Sequence, residues 1–240
     1  MTSQPNETSE NQEVQFSDEE HLIWKLLYDQ QINEVKKYAS KEFLSGLEIL
    51  DLPSDNIPAL AHLNSAITPN TGWKTVRTDV RYTDAVPWYN HFNRKEFLVT
   101  NYLRSKEELE FTPEPDMFHD IFGHLPFMTL PHYTELQEMF APAFLRANDA
   151  QRENIKRLAW YSTEFGLIIE NNERKLFGTG LISSSGEMSH VLSGNTPIEK
   201  FTIDNVTLNE KAIYNYNGIL FEFDSIDSLK IELSSYFDKI

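Results

Sequence analysis

The chain has 240 residues, of which 40% are hydrophobic and 12% aromatic, and this is enough for one sizeable core. Its formal net charge of -16 argues against a nucleic-acid or anionic-membrane partner, because the mean field would repel a polyanion. The chain has no cysteine, which excludes disulfides and thiol catalysis and fits a cytoplasmic location. No apolar run approaches the roughly 18 residues of a membrane span.

The first 15 residues are polar and contain neither the basic nor the apolar part of a signal peptide. We predict a disordered tail over 1–15 and one folded domain over 16–240. Ser17 precedes three acidic residues and therefore predicts a capped helix that runs to Tyr38. The next predicted elements are helices over 40–50 and 57–66, a turn over 69–72, and strands over 73–80 and 97–102.

Apolar recurrence at three and four residues predicts further helices in the second half of the chain. These helices are expected over 133–148, 152–169, 186–192 and 226–237, with a turn at 171–173 and short strands around Phe201, Ile203, Val206 and 219–223. The predicted fold class is therefore mainly α with minor β, an α+β architecture.

The most informative segment is 115–126, which places His119 and His124 five residues apart between two prolines. Neutral imidazole is a good ligand for a divalent transition metal. Residues five apart on a regular helix differ by about 140° in azimuth, so a straight helix would separate them. We expect the helix to end near Phe122, with Gly123 loosening the last turn so that His124 turns back toward His119. Two helix-end histidines without a metal are the alternative.

Glu164 is a carboxylate within the aromatic and apolar run 160–167. An unpaired charge in such a run would be costly, so Glu164 requires a cation unless it lies on the exposed face of a helix. Two histidines and one carboxylate form the facial triad of non-haem iron(II) oxygenases. Zinc hydrolases use the same ligand types, so the metal stays open on this evidence.

Three blocks together resemble the pterin-dependent aromatic amino acid hydroxylases, and most of all their short bacterial phenylalanine 4-hydroxylases. The blocks are 112–126, which begins Thr-Pro-Glu-Pro-Asp, then 160–167, and then 178–187, which reads Gly-Thr-Gly-Leu-Ile-Ser-Ser-Ser-Gly-Glu. The resemblance extends from about Phe16 to the mid-220s. It implies the catalytic-domain fold of that family over 16–240.

The resemblance also implies roles for individual residues. The iron ligands would be His119, His124 and Glu164. The residues that hold the amino acid substrate would be Arg104, Thr112, Trp160, Phe165, Gly180 and Ser183. Arg104 would grip the α-carboxylate, and the aromatic walls would suit an aromatic ring. For Arg104 alone, a solvated surface charge is the alternative.

The pterin ring would rest on Trp88, which could equally be a core residue of an amphipathic segment. The segment 81–88 departs from the Gly-Leu sequence usual in the family, and the stretch 214–223 looks shorter than in relatives. Animal relatives carry a regulatory domain and a tetramerising tail that do not fit in 240 residues, so feedback regulation of that type is not expected. A monomer is expected.

By resemblance, the chain is expected to be a monooxygenase that uses Fe(2+), a tetrahydropterin and O2 to hydroxylate the ring of an aromatic amino acid. Phenylalanine to tyrosine is the expected reaction. A sister ring hydroxylase acting on tryptophan, tyrosine or the 3-position of phenylalanine, a zinc-dependent hydrolase and a catalytically silent binding protein are the alternatives.

Overall fold

The computed structural model describes residues 14–109 and 114–240. Helices dominate the described residues and strands are few, which confirms a mainly α fold with minor β. The helices are α1 (Asp18–Tyr38), α2 (Lys41–Leu50), α3 (Leu60–Thr71), α4 (Ala85–Phe92), α5 (Leu125–Met128), α6 (Pro131–Arg146), α7 (Asp149–Ala159), α8 (Thr179–Ser183), α9 (Ser185–Leu192), α10 (Ile203–Thr207) and α11 (Ile226–Phe237). A first π-helix spans His119–His124 and a second spans Trp160–Glu164.

The strands form two small sheets. They are β1 (Lys74–Thr78), β2 (Glu96–Thr100), β3 (Leu167–Glu170), β4 (Glu173–Leu176), β5 (Ile198–Lys200) and β6 (Leu220–Phe223). Strands β1 and β2 pair in parallel, and the second sheet has the order β4-β3-β6-β5. The predicted turn at 171–173 is confirmed, since β3 and β4 form an antiparallel hairpin with φ of 50° at Asn171 and 64° at Asn172.

Helix α1 begins where its capping residue Ser17 predicts, whereas α3 begins at Leu60, three residues after the expected start at 57. Ser17 accepts a hydrogen bond from the backbone of Glu20, whose carboxylate accepts one from the Ser17 backbone at 2.7 Å. The predicted turn at 69–72 is wrong, because α3 continues through Pro69 to Thr71, and Gly72 caps it with a φ of 74°. Pro69 has no N–H to donate, so it removes only one helical hydrogen bond, the one to the Ser65 carbonyl, in the last part of α3.

Two predictions for the C-terminal half are also wrong. The helix expected over 152–169 ends in the second π-helix, and the chain enters β3 at Leu167. The strands expected around Ile203 and Val206 are the helix α10, which Thr202 caps by accepting from Asn205 N at 3.1 Å. A Thr cap overrides the strand preference of these β-branched residues.

An aromatic core supports the first π-helix from behind. Phe118 and Phe122 stack with their ring centroids 4.8 Å apart, and Trp24 of α1 meets Phe118 edge-on at 5.3 Å. Both phenylalanines are buried in a hydrophobic cluster that extends from α1 to α11. This packing holds the opposite, histidine-bearing side of the helix in place.

The predicted polar tail over 1–15 lies outside the described residues except for its last two positions. Among the described helices, none combines the length and the apolar character that crossing a membrane requires.

Candidate active site

His119 and His124 are the first and last residues of the first π-helix. A π-helix bonds residue i to residue i+5, so residues five apart lie nearly one above the other. The Nε2 atoms of the two histidines are 3.0 Å apart. The expected helix end at Phe122 is wrong, because the helix widens through Gly123 and continues into α5.

Pro126 accounts for this widening. A proline ring inside a helix collides with the carbonyl four residues earlier and cannot donate a hydrogen bond. Pro126 lies at the second residue of α5, directly after the π-helix. A wider turn before Pro126 relieves that collision, and it also aligns the histidine pair.

Glu164 ends the second π-helix, in which Phe165 N donates to the carbonyl of Trp160, five residues earlier, at 2.8 Å. Its Oε1 lies 3.3 Å from His124 Nε2, and its Oε2 lies 3.5 Å from His119 Nε2. One ligand atom from each of the three residues lies within 4.8 Å of the others, so together they could hold a metal ion.

The protonation of this cluster favours a cation. Burial and the neighbouring His124 lower the pKa of His119 to about 4, so His119 is neutral near pH 7. Burial alone would raise the pKa of Glu164, but His124, His119 and a hydrogen bond from Thr179 lower it to about 2. A neutral imidazole beside an ionised carboxylate is the protonation state that metal binding requires.

Ser183 selects the tautomer of His119. The Ser183 hydroxyl donates to the carbonyl of Thr179 at 2.8 Å, so it must accept from His119 Nδ1, also at 2.8 Å. The Nε2 lone pair then faces the other two ligand side chains. Two ligands at right angles on an ion, with bonds of about 2.1 Å, lie about 3 Å apart, which matches the spacing of the two Nε2 atoms. The donor set and its geometry fit a divalent transition metal.

Arg104 is buried, with 1% of its surface exposed, and is not a solvated surface charge. Its Nε and Nη2 both donate to the Asp116 carboxylate at 2.8 Å. Burial would raise the pKa of Asp116, but Arg104 holds it below its usual range. Nη1 of Arg104 is buried without a hydrogen-bond partner among the described residues, and the side chain lines a cavity beside His119. Arg104 thus keeps a free donor for an anion.

Trp160 and Phe165 form an aromatic wall, with ring centroids 4.5 Å apart. Trp160 Nε1 donates to Oδ1 of the buried Asn217 at 2.8 Å, which fixes the indole. Gly180 is necessary for this wall, because a Cβ on it would lie 2.7 Å from Cζ of Phe165. A flat apolar wall of this kind suits an aromatic ring.

All of the predicted site residues that lie in the described part of the chain line one cavity. Its volume of about 640 Å³ is usual for small-molecule sites. Trp88 lies in α4, half-buried between the cavity and the core, with its ring 5.4 Å from that of Phe97. Thr112 lies outside the described residues.

Three residues of the site were not predicted from the sequence. Thr179 contacts two of the three ligand side chains. Asp120 is buried, accepts from Thr100 N at 2.8 Å and has its pKa raised to about 7, mainly by burial. Glu187 is buried in the cavity wall, and burial raises its pKa to about 7. The sequence signal that could have found them is their position within the blocks 112–126 and 178–187, since Asp120, for example, follows His119 directly.

Comparison with known proteins agrees with this geometry. The family model for biopterin-dependent aromatic amino acid hydroxylases matches residues 5–240. The chain belongs to this family. A phenylalanine-4-hydroxylase of Mesorhizobium japonicum is 33% identical over 225 residues, which cover 91% of this chain and 80% of that protein.

Solved structures of family members have the same fold. The phenylalanine hydroxylase of Colwellia psychrerythraea aligns with a TM-score of 0.87 and 28% identity, covering 94% of this chain and 89% of that one. A structure of the Chromobacterium violaceum enzyme, with bound iron(III) and the oxidised cofactor 7,8-dihydrobiopterin, aligns with a TM-score of 0.87 and 29% identity. That alignment covers 93% of this chain and 82% of the other.

Proposed function

We propose that this protein is an iron(II)- and tetrahydropterin-dependent monooxygenase that converts L-phenylalanine into L-tyrosine. The observation that carries the proposal is the convergence of His119, His124 and Glu164 in a cavity with an aromatic wall, in a chain of the pterin-dependent hydroxylase family. The ligand types suit ferrous iron with open positions.

The three ligand side chains would hold the iron from one side. Glu164 would contribute the negative charge, and the imidazole of His119 would contribute a neutral donor. When bound, iron and tetrahydropterin supply the activation of O2, with one oxygen atom going to the substrate ring and the other to the pterin. A bound tetrahydropterin would also supply the two electrons that balance the reaction.

The remaining cavity residues would bind and orient the organic molecules. Nη1 of Arg104 would donate to the α-carboxylate of the substrate, since Asp116 already occupies the other side of the guanidinium. Trp160 and Phe165 would contact the substrate ring, and Trp88 would contact the pterin ring. A substrate-binding role for Thr112 stays a prediction. The walls of the cavity would also keep water away from the oxidising centre.

The proposal is tested by loading the protein with iron(II) under argon and then adding a tetrahydropterin, L-phenylalanine and ¹⁸O-labelled dioxygen. We expect tyrosine that carries one labelled oxygen, identified by mass. Separate assays with tryptophan and tyrosine test the sister reactions. Formation of a product without oxygen uptake, or no turnover of phenylalanine, would contradict the proposal.

Two variants connect this activity to the centre. His119→Ala and Glu164→Ala should each abolish tyrosine formation while the far-ultraviolet circular dichroism spectrum stays unchanged, because each removes one ligand. His132→Ala is the matched control, since His132 is exposed on α6 and does not line the cavity. Full activity in either variant would show that these residues do not form the catalytic metal centre.

We also propose a cytoplasmic monomer that binds no nucleic acid. The formal net charge of -16 supports a monomer without a nucleic-acid partner, because like charges disfavour both self-association and binding to a polyanion. Light scattering should give a mass near 27.9 kDa. A stable dimer mass would contradict the monomer.

A further inference from the structure

Thr179 contacts the ligand cluster from outside the cavity lining. It is the first residue of α8 and is fully buried. Its hydroxyl lies 2.9 Å from Glu164 Oε2 and 3.1 Å from His124 Nε2. A polar side chain is therefore in contact with two of the three groups that would bind iron, although it does not line the cavity itself.

The direction of this hydrogen bond follows from the acceptor. A hydroxyl carries one proton, and an ionised carboxylate can only accept. A carboxylate that binds a metal is ionised, so the Thr179 hydroxyl donates its proton to Oε2 of Glu164, 2.9 Å away. When the His124 lone pair is engaged by a metal, Glu164 is the remaining acceptor for this proton.

The three ligands differ in their outer support. His119 has the Ser183 hydroxyl on Nδ1. Nδ1 of His124 is buried and has no hydrogen-bond partner among the described residues. For Glu164, the Thr179 hydroxyl donates to Oε2. The other oxygen, Oε1, does not take part in this hydrogen bond and lies 3.3 Å from His124 Nε2. Outer contacts of this kind set both the orientation of a ligand and the affinity for the metal.

We propose that Thr179 is a positioning residue of the metal centre: its hydroxyl holds Oε2 of Glu164, so that Oε1 is the oxygen presented to the metal ion. This inference rests on the proposed function and deepens it. Without the hydroxyl, both carboxylate oxygens become available to the ion, and the carboxylate is free to rotate. Thr179 thereby sets how many positions on the ion stay open for other ligands.

Cobalt(II) provides a readout that does not depend on turnover. The metal-free full-length protein is titrated with cobalt(II), and both the dissociation constant and the visible absorption spectrum are recorded. We expect Thr179→Val to raise the dissociation constant by about 10- to 100-fold. The visible bands should also weaken, because a second bound oxygen raises the coordination number. Thr179→Ser keeps the hydroxyl and should retain both the affinity and the spectrum.

Thr134→Val is the matched control. Thr134 is buried in α6 and its hydroxyl donates to the carbonyl of Pro131 at 3.0 Å, outside the site. Its cobalt affinity should equal that of the wild-type protein. If the Thr179→Val protein does not fold, Thr179→Ala takes its place with the same expected change, since alanine also lacks the hydroxyl and adds no bulk.

Three results would overturn the inference about Thr179. One is a wild-type affinity and spectrum in the valine or alanine variant. The second is an equal loss of affinity in the serine variant, which would mean that shape matters and the hydroxyl does not. The third is a similar loss in the Thr134→Val control. Glu164→Ala separates this inference from the proposed function: unchanged cobalt binding in that variant would reject the centre itself.

Discussion

Glu187 should contribute to the pH dependence of the protein's stability, and Glu187→Gln should remove that contribution. Glu187 is 6% exposed, and its Oε2 is buried without a hydrogen-bond partner among the described residues. Burial raises its pKa from the ordinary 4.5 to about 7. Glutamine is nearly isosteric with the protonated acid and does not ionise, so the substitution isolates the ionisation.

The sign follows from the two pKa values. Below about pH 4.5 the carboxyl is protonated in both the folded and the unfolded states, so its ionisation costs no stability. Between about pH 4.5 and 7 the unfolded state releases the proton more readily, and the folded state loses stability as the pH rises. A tenfold change in equilibrium is worth about 1.4 kcal/mol, so the gap between the two pKa values corresponds to about 3 kcal/mol.

The assay is urea unfolding of the metal-free protein between pH 4 and pH 8, followed by tryptophan fluorescence. The free energy of unfolding of Glu187→Gln should match the wild type near pH 4.5 and exceed it by about 3 kcal/mol at pH 8. Other titrating groups are common to both proteins and cancel in the difference. A difference that does not change with pH would refute the reasoning.

Further predictions concern the surroundings of the ligands. Ser183→Ala removes the acceptor for His119 Nδ1 and should weaken cobalt(II) binding by about 10- to 100-fold in a titration, whereas unchanged affinity would contradict the tautomer assignment. Asp116→Asn breaks the buried pair with Arg104 and should lower the free energy of unfolding in urea by about 3 to 5 kcal/mol; a loss below about 1 kcal/mol would contradict it. Gly178→Ala places a Cβ 2.2 Å from the backbone oxygen of the glutamate ligand, so both metal affinity and thermal stability should fall, and retention of both would contradict the close packing.

The ligand residues could be found in the sequence, but the backbone that brings two of them together could not. Imidazoles five apart and a carboxylate in an apolar run carry a chemical signal that does not need a fold. The π-helix at His119–His124 depends on how Pro126 is accommodated inside the folded core. A rule for regular helices therefore predicts a broken helix at Gly123.

The role of Arg104 shows a similar limit. Its place near the substrate was suggested by the family resemblance, whereas its pairing with Asp116 depends on a contact across 12 residues. The end of the helix that carries Glu164 was also missed. Apolar periodicity continues to Ile169, but pairing of β3 with β4 and β6 determines the conformation of the chain from Leu167 onward.

The central claim is that His119, His124 and Glu164 bind one iron ion. The most direct measurement is a crystal structure of the protein loaded with iron(II) under argon, with anomalous scattering recorded on both sides of the iron edge. We predict a single strong anomalous peak about 2.0–2.2 Å from Nε2 of both histidines and from a carboxylate oxygen of Glu164. An iron peak at another place, or none at these three side chains at full loading, would contradict the account.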